Sequence, residues 1–490
     1  MSGHTSVDLR LTDIALVNDP SRVVLRFFVP GREDVGPGDS RAGSVIDRVL
    51  ALDESEVAAE LADVMARFDH RHRHLLASFE LHAAGIDQRL DDASALSTAR
   101  RRLLGAVFSH EYAIEGAALC NPSIVAHPQQ PTDGTTSFVL STRCIGEGHR
   151  SSIGFRTGSV SADGDVQLDR PGGFAQIGTL GSGTHHKAVL HRKLAELHDD
   201  HENAAFVLDP LPDRFGDVQL SERLTVLTND AATRRHATET VAHLQVLGCS
   251  SYIATFPADT DLAERVLWPT SPIELHGMED ARFVEIVDGS APRYCATYTA
   301  FDGTNIGQNL LTTEDFRSFE VTPMAGIAAR GKGLALFPRQ IGGRFVALSR
   351  ADRETNSVAW SDDLLCWDSS TVIQTSEQPW ELVQLGNCGS PIETEEGWLV
   401  LTHGVGAVRT YSIGALLLDL DDPSRVIAAG SQPILRPMPD GRDGYVPNVV
   451  YTCGALAIGD RLVLPYGIGD QRIAVATLSI RDLIGSMNRR

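Results

Sequence analysis

The sequence predicts a mainly β protein with a mostly helical N-terminal extension and one helical insertion. Three observations predict it. Short runs of strand-forming residues recur from Cys120 almost to the end, for example at 137–141, 344–348, 397–401 and 461–465. Turn-forming pairs punctuate them: Asp133-Gly134, Asp163-Gly164, Asp302-Gly303, Gly342-Gly343, Glu396-Gly397 and Gly459-Asp460. From Ser44 to about Ala118, by contrast, apolar residues fall at helical spacing. The β texture suits a sandwich, a barrel or a propeller. Its recurrence is loose, without a WD or kelch signature, so repetition alone does not choose among them.

Taken in order, residues 7–11 and 22–30 alternate as strands do, and a Gly/Pro/Asp-rich loop at 31–39 closes them. Asp53 followed by Glu56 has the pattern of a capping box, after which Val57, Leu61, Val64, Met65 and Phe68 share one helical face. Residues 74–84 and 96–108 read as further amphipathic helices. His70, His72 and His74 have alternate spacing, which a helix spreads over different faces; we read them as solvated surface rather than a metal site. Residues 185–197 and 231–247 read as two helices on an excursion from the β region, expected to pack against the N-terminal helices.

With 490 residues, 42% apolar and 22% charged, the chain is long enough for more than one domain and has the balance of a soluble globular protein. A net charge of −21 argues against nucleic-acid or membrane partners, while leaving room for a local cationic pocket. The seven cysteines include no CxxC pair and are odd in number, as expected of reduced intracellular thiols. The first ten residues lack a signal-peptide pattern, and no apolar run approaches about 18 residues. A cytoplasmic location is the expectation.

The stretch that most suggests chemistry is 275–283, where Glu279 and Asp280 lie between Gly277 and Arg282. Successive strand side chains point to opposite faces, so both carboxylates can face one cavity only if the backbone bends, and Gly277 permits a bend. One carboxylate would then face a substrate while the other holds Arg282 or a backbone amide. As residues alone, this is equally a polar turn before a strand. Four other stretches put polar groups at strand edges: Asn121 to Ile124 with Arg143; Arg330 to Gly333 with Arg350; Gly386 to Glu393 with His403; and Tyr445 to Tyr451, including Asn448, with Asp470. Singly, Arg330 and Lys332 also fit an exposed basic turn, and His403 a satisfied core histidine. The glycines form neither GxGxxG nor GxxxxGK[ST], Ser390 has no GxSxG elbow, and no HExxH or Cys/His cluster suggests a metal.

In this order the five stretches resemble glycoside hydrolase family 130, the inverting β-mannoside phosphorylases and β-mannosidases. Gly277, Glu279, Asp280 and Arg282 match its Gly-x-Glu-Asp-x-Arg signature, with Ala281 where proline is usual. Leu336 to Pro338 with Arg350, Pro391 to Gly404, Leu417 to Pro423, and Pro447 to Asp470 match further family segments, so the resemblance covers roughly 120–480. It implies a five-bladed β-propeller with its site in the central funnel. We accordingly divide the chain into an extension, 1–118, and a catalytic domain, 119–490, with a helical insertion at about 184–248.

The resemblance also implies roles. Asp280 becomes the general acid, acting through a substrate hydroxyl. Asn121, Arg143, Glu279, Asn448 and Asp470 become substrate-binding candidates. Arg330, Arg350 and His403 match phosphate ligands of the family, whereas Gln384 and Gly331 stand where it has a lysine and an asparagine. Inverting cleavage requires an acid and a nucleophile on opposite faces of the sugar. Asp280 would need a raised pKa, which burial beside Glu279 would supply. A hydrolase would need a carboxylate base instead of phosphate, for which Glu393, Glu354 and Glu395 are the candidates.

The expected reaction is phosphorolysis of a terminal β-mannosidic bond in a short oligosaccharide, with β-1,2 the expected linkage. It would use no cofactor or metal, only inorganic phosphate as co-substrate. Hydrolysis by the same fold is the alternative. A non-catalytic carbohydrate-binding propeller would tolerate loss of Asp280, and an interaction propeller would not need Arg330, Arg350 and His403 together. The N-terminal helices are expected to wall one side of the funnel or to support a homo-oligomer.

Overall fold

The computed structural model describes residues 8–30, 41–287 and 293–490; Val7 and the loop expected at 31–39 lie outside them. The chain divides into two compact units. One comprises Asp19–Gly116 with Gly172–Ile177; the other comprises Met1–Asn18, Ala117–Pro171 and Gly178–Arg490.

The smaller unit holds the helices Arg41–Leu50, Glu54–Phe68, Leu75–Ala84 and Thr98–Val107, with an antiparallel pair of strands, Val23–Phe27 and Ser109–Ala113, that flank them in the chain. The Asp53 cap forms as expected: Ser55 and Glu56 donate their amides to the Asp53 carboxylate at 2.8 and 2.9 Å, and the Asp53 amide donates to Glu56 at 2.8 Å. Ile46, Val57, Leu103, Leu104 and Phe108 form the core. Gly105 allows the Leu75–Ala84 helix to approach closely, since a Cβ there would stand 1.8 Å from the Phe79 carbonyl oxygen. His72 corrects the reading of that histidine row as solvated surface. It is buried, with Nε2 2.8 Å from the Glu111 carboxylate, which also receives Arg71 at 2.7 Å. A buried imidazole needs a hydrogen-bond partner, and the half-buried Glu111 supplies it.

The larger unit is built from antiparallel meanders. The first runs Ala118–Ala126, Thr136–Ile145, Ser151–Val160, Val166–Leu168. The second runs Gly277–Ile286, Arg293–Phe301, Ile306–Thr313, Ser318–Pro323. The third runs Ala335–Leu336, Phe345–Ser349, Asn356–Ser361, Ser370–Gln374. The fourth runs Gln384–Asn387, Gly397–Val405, Tyr411–Leu418, Val426–Ala429. The last runs Val450–Tyr451, Arg461–Ile468, Arg472–Ser479, and its outer strand is Arg10–Val17 from the other end of the chain. That pairing removes the first strand from the expected extension. Backbone groups along Arg472–Ser479 needed a partner strand, and Arg10–Val17 provides it. Central strands are buried along their whole length, as in Gly397–Val405, while outer ones such as Ser370–Gln374 are half exposed.

Between Thr179–Ser182 and Tyr252–Thr255, which pair with each other, the chain makes four helices rather than two: Lys187–Glu196, Glu202–Leu208, Asp217–Asn229 and Ala237–Gly248. Leu194, Val207, Leu224, Leu227 and Leu244 close their apolar faces on one another. The last helix starts later than expected because His236 takes a left-handed conformation, φ 60°, which ends the preceding turn. Among the described residues no helix is long and apolar enough to cross a membrane, and no group of three or more His, Cys, Asp or Glu is placed to hold a metal. None of the seven cysteines is in a disulfide, and Cys249 alone of them is exposed.

Candidate active site

Asp280 occupies a β-bulge. The register of Gly277–Ile286 against Arg293–Phe301 shifts between Glu279 and Arg282, and Asp280 itself is left-handed, φ 57°. The bend that brings the two carboxylates together therefore lies at Asp280, not at Gly277. Gly277 serves close approach instead, since a Cβ there would stand 2.2 Å from Ser151 Oγ. Asn121 occupies a matching bulge in Ala118–Ala126, φ 48°, where the register shifts between Cys120 and Ser123. The two bulges are tied together: Ser123 Oγ accepts the Phe283 amide at 3.0 Å, and Asn121 donates to the Asp280 carboxylate.

Both carboxylates are thereby turned to Arg143, which reaches Glu279 at 2.5 Å and Asp280 at 3.3 Å. Glu279 also receives Lys332 at 2.5 Å. Glu279 does not hold Arg282, as one sequence reading allowed. Arg282 is buried beneath the site, donating to the carbonyls of Cys388 and Asp280, each at 2.7 Å, and to the Tyr451 hydroxyl at 3.0 Å. It is a strut joining three meanders.

Arg143, Asp280, Arg282, Lys332 and Tyr451 line a cavity of about 460 Å³ to which all five meanders contribute; Glu279, expected to bind substrate, is not in its lining and instead holds Arg143 and Lys332. Asn121 and Arg143 come from the first, Asp280 from the second, Lys332 and Arg350 from the third, Gln384 from the fourth, and Tyr451 and Asp470 from the last. Its lining carries six cationic side chains and two carboxylates, Asp280 and Asp470. A larger cavity, about 1120 Å³, lies against the helices Asp217–Asn229 and Ala237–Gly248, but Asp217 is its sole carboxylate and no cationic side chain lines it.

The electrostatics differ from expectation. Burial is the largest influence on Asp280 and opposes its ionisation, but Arg143, Arg282 and Lys332, with the Asn121 hydrogen bond, outweigh it and hold the carboxyl at about 2. Glu279 is not among the largest influences on it, and that acid is itself engaged by Arg143 and Lys332. Asp470, on a left-handed turn with φ 48°, goes the other way: burial, with the charge of Asp280, lifts it to about 6 despite Arg143 and Arg409.

His403 is fully buried and held neutral, its pKa well below the usual range through burial and the neighbouring Arg350 and Arg282. Its Nδ1 lies 3.1 Å from the Asn387 carbonyl, which requires Nδ1 to donate and leaves Nε2 as the acceptor for Arg350 Nη1 at 3.0 Å. His403 thus aims Arg350. Gly386 makes room for both, since a Cβ there would stand 2.7 Å from the His403 ring and 2.9 Å from Arg350.

Several expected residues lie elsewhere. Arg330 is exposed at the end of the turn Ile327–Ala329 and does not line the cavity. Gly331, at φ 78°, breaks the alternation that would have put Arg330 and Lys332 on one side, and Lys332 enters instead. Asn448 is outside the lining and is used through its backbone: its amide donates to Arg442 and its carbonyl accepts Tyr411, at 2.9 and 3.0 Å. Glu393 faces outward from Ile392–Thr394 and makes a surface ion pair with Arg339 at 2.7 Å. Glu354 is exposed in a turn organised by Asp352. Neither lines the cavity. Sequence reading passed over Arg353, Arg409 and Tyr411, which do line it. Arg353 and Arg409 are left-handed at φ 69° and 52°, and the Asp352–Thr355 and Gly406–Thr410 turns that set them were their only sequence signal.

The family model for glycoside hydrolase family 130, described as beta-1,4-mannooligosaccharide phosphorylase, matches residues 250–489. The chain is 36% identical over 216 residues to a 1,2-beta-oligomannan phosphorylase of Thermoanaerobacter sp. (strain X514), a match spanning 43% of this chain and 71% of that one. It is 32% identical over 225 residues to a beta-1,2-mannobiose phosphorylase of Listeria innocua serovar 6a, spanning 44% of this chain and 62% of the relative. Among solved structures, the Listeria innocua beta-1,2-mannobiose phosphorylase in complex with beta-1,2-mannobiose aligns over 76% of this chain and 92% of its own, with TM-score 0.46 and 19% identity. The protein is an enzyme of β-mannosides, a glycoside phosphorylase or glycosidase. It belongs to glycoside hydrolase family 130.

Proposed function

We propose that this enzyme removes a terminal mannosyl unit from short β-1,2-linked mannosides by inverting phosphorolysis. The five meanders form a five-bladed propeller whose funnel is the 460 Å³ cavity. A phosphate oxygen attacks the anomeric carbon opposite the leaving oxygen. The glycosidic C–O bond breaks as the new C–O–P link forms, giving α-mannose 1-phosphate and a shortened mannoside.

The observation that carries this reading is the composition of the cavity wall: Lys332, Arg350, Arg353 and Arg409 line it, and Glu393, Glu354 and Glu395, the acids considered as a water-activating base, do not. Guanidinium forks suit a phosphate, which is already a nucleophile and needs only to be held. Asn121, Arg143 and Asp470 hold the terminal sugar, and Asp280 supplies the proton through a sugar hydroxyl. In the empty site Asp280 is held ionised at about 2 by the surrounding cations. Phosphate beside Lys332 and Arg350 adds negative charge that offsets them and raises Asp280 toward its protonated, acid form.

The relatives named as phosphorylases of β-1,2-linked mannosides support the linkage. Seven cysteines outside any disulfide support a cytoplasmic setting, and a homo-oligomer remains part of the proposal. Incubating the enzyme with β-1,2- and β-1,4-mannobiose, each with and without phosphate, tests the reading. The expected product is mannose 1-phosphate from the β-1,2 compound only. A preference for β-1,4-mannobiose would overturn the linkage, and mannose released at the same rate without phosphate would overturn phosphorolysis.

A further inference from the structure

We propose that Arg353 is a phosphate-contacting residue of this enzyme, acting with Arg350; the inference rests on the phosphorolysis reading above. Of the other cations of the cavity, Arg143, Lys332 and Arg282 already have hydrogen-bond or ion-pair partners, while Arg409 stands over the Tyr411 ring, 5.9 Å from its centroid, and shares its charge with Asp470. Arg143 and Lys332 are paired with Glu279, each at 2.5 Å, and Arg282 is spent on two carbonyls and the Tyr451 hydroxyl. Arg350 is aimed by His403, and among the described residues no carboxylate lies within ion-pairing distance of it. Arg353 lines the same cavity, and among the described residues its guanidinium has no hydrogen-bond or ion-pair partner.

Its placement is built. Asp352 accepts the amides of Glu354 and Thr355, each at 3.0 Å, and the Thr355 hydroxyl at 2.6 Å, so its carboxylate is engaged within the loop. The Arg353 amide donates to the Arg350 carbonyl at 2.9 Å, and Arg350 Nη2 donates back to the Arg353 carbonyl at 3.4 Å. The two arginines thus form one unit. Arg353 itself is left-handed, φ 69°, a conformation that a non-glycine residue keeps only where its surroundings enforce it. Phosphate is a compact anion with more acceptors than one guanidinium can satisfy, and a second fork beside Arg350 supplies both donors and charge.

The test is the phosphate dependence of mannobiose phosphorolysis in wild type, Arg353→Asn, Arg353→Lys and Arg330→Ala. Asparagine tolerates the left-handed backbone, and thermal melting checks the fold. Arg353→Asn should raise the phosphate KM by about tenfold or more, the loss of one charge-assisted contact. Its mannobiose KM should stay within about twofold of wild type, Arg353→Lys should recover part of the loss, and Arg330→Ala should change little. An unchanged phosphate KM in Arg353→Asn with phosphorolysis intact overturns this inference alone. Phosphate-independent release of mannose by the wild type overturns it together with the phosphorolysis reading.

Discussion

Replacing Asp280 with asparagine separates the electrostatic from the chemical role of that residue. The substitution keeps the shape and suits the left-handed backbone at φ 57°. The carboxyl is held at about 2 against an ordinary value of 3.8, and at about 1.4 kcal/mol per pH unit the difference corresponds to about 2 kcal/mol. A depressed value means that the ionised form favours the folded state. The contribution is complete above about pH 4 and is lost as the pH falls through 2. Asp280→Asn should therefore be about 2 kcal/mol less stable than wild type in urea at pH 7, and the gap should narrow as the pH is lowered from 5 to 3. Loss of the general acid should lower kcat by about 10²- to 10⁴-fold. Equal stability at pH 7 would refute the electrostatic account. A rate within about tenfold of wild type would refute the assignment of the acid.

Other perturbations probe the surrounding groups. Gly386→Ala pushes on His403 and Arg350 together and should raise the phosphate KM by about tenfold while leaving the mannobiose KM within about twofold, as read from initial rates. Asp470 is raised to about 6, so the fold favours its neutral form and stability is lost as the pH rises from about 4 to 6. Asp470→Asn removes that dependence. Discounted for partial exposure, its stability relative to wild type should improve by about 1–2 kcal/mol between pH 4 and 7 in urea titrations. Glu393→Gln breaks only an exposed pair with Arg339 and should leave phosphorolysis rates within about twofold.

What the sequence made legible follows from which signals are local. Strand texture, the Asp53 cap and the Glu279-Asp280 pair are local, and they are found where expected. The bulges at Asn121 and Asp280 are not, because a shift in register depends on the partner strand. Glu393 lies outside the cavity because its side of Ile392–Thr394 is set by pairing opposite Trp398, which its own neighbours in sequence do not reveal. Arg353 and Arg409 carry no periodic signal, since single left-handed turns aim them. The Asp280 carboxyl was expected to be raised by its neighbour Glu279. Arg143 comes from another meander and Lys332 from a third, and these distant residues reverse the sign. Arg10–Val17 closes the last meander from the far end of the chain, a pairing that no local pattern announces.

A ³¹P NMR time course of β-1,2-mannobiose with inorganic phosphate tests phosphorolysis most directly. The account predicts that inorganic phosphate falls as α-mannose 1-phosphate rises, in step with released mannose, and that both stop when phosphate is withheld. Mannose accumulating while the phosphate signal stays constant would contradict it.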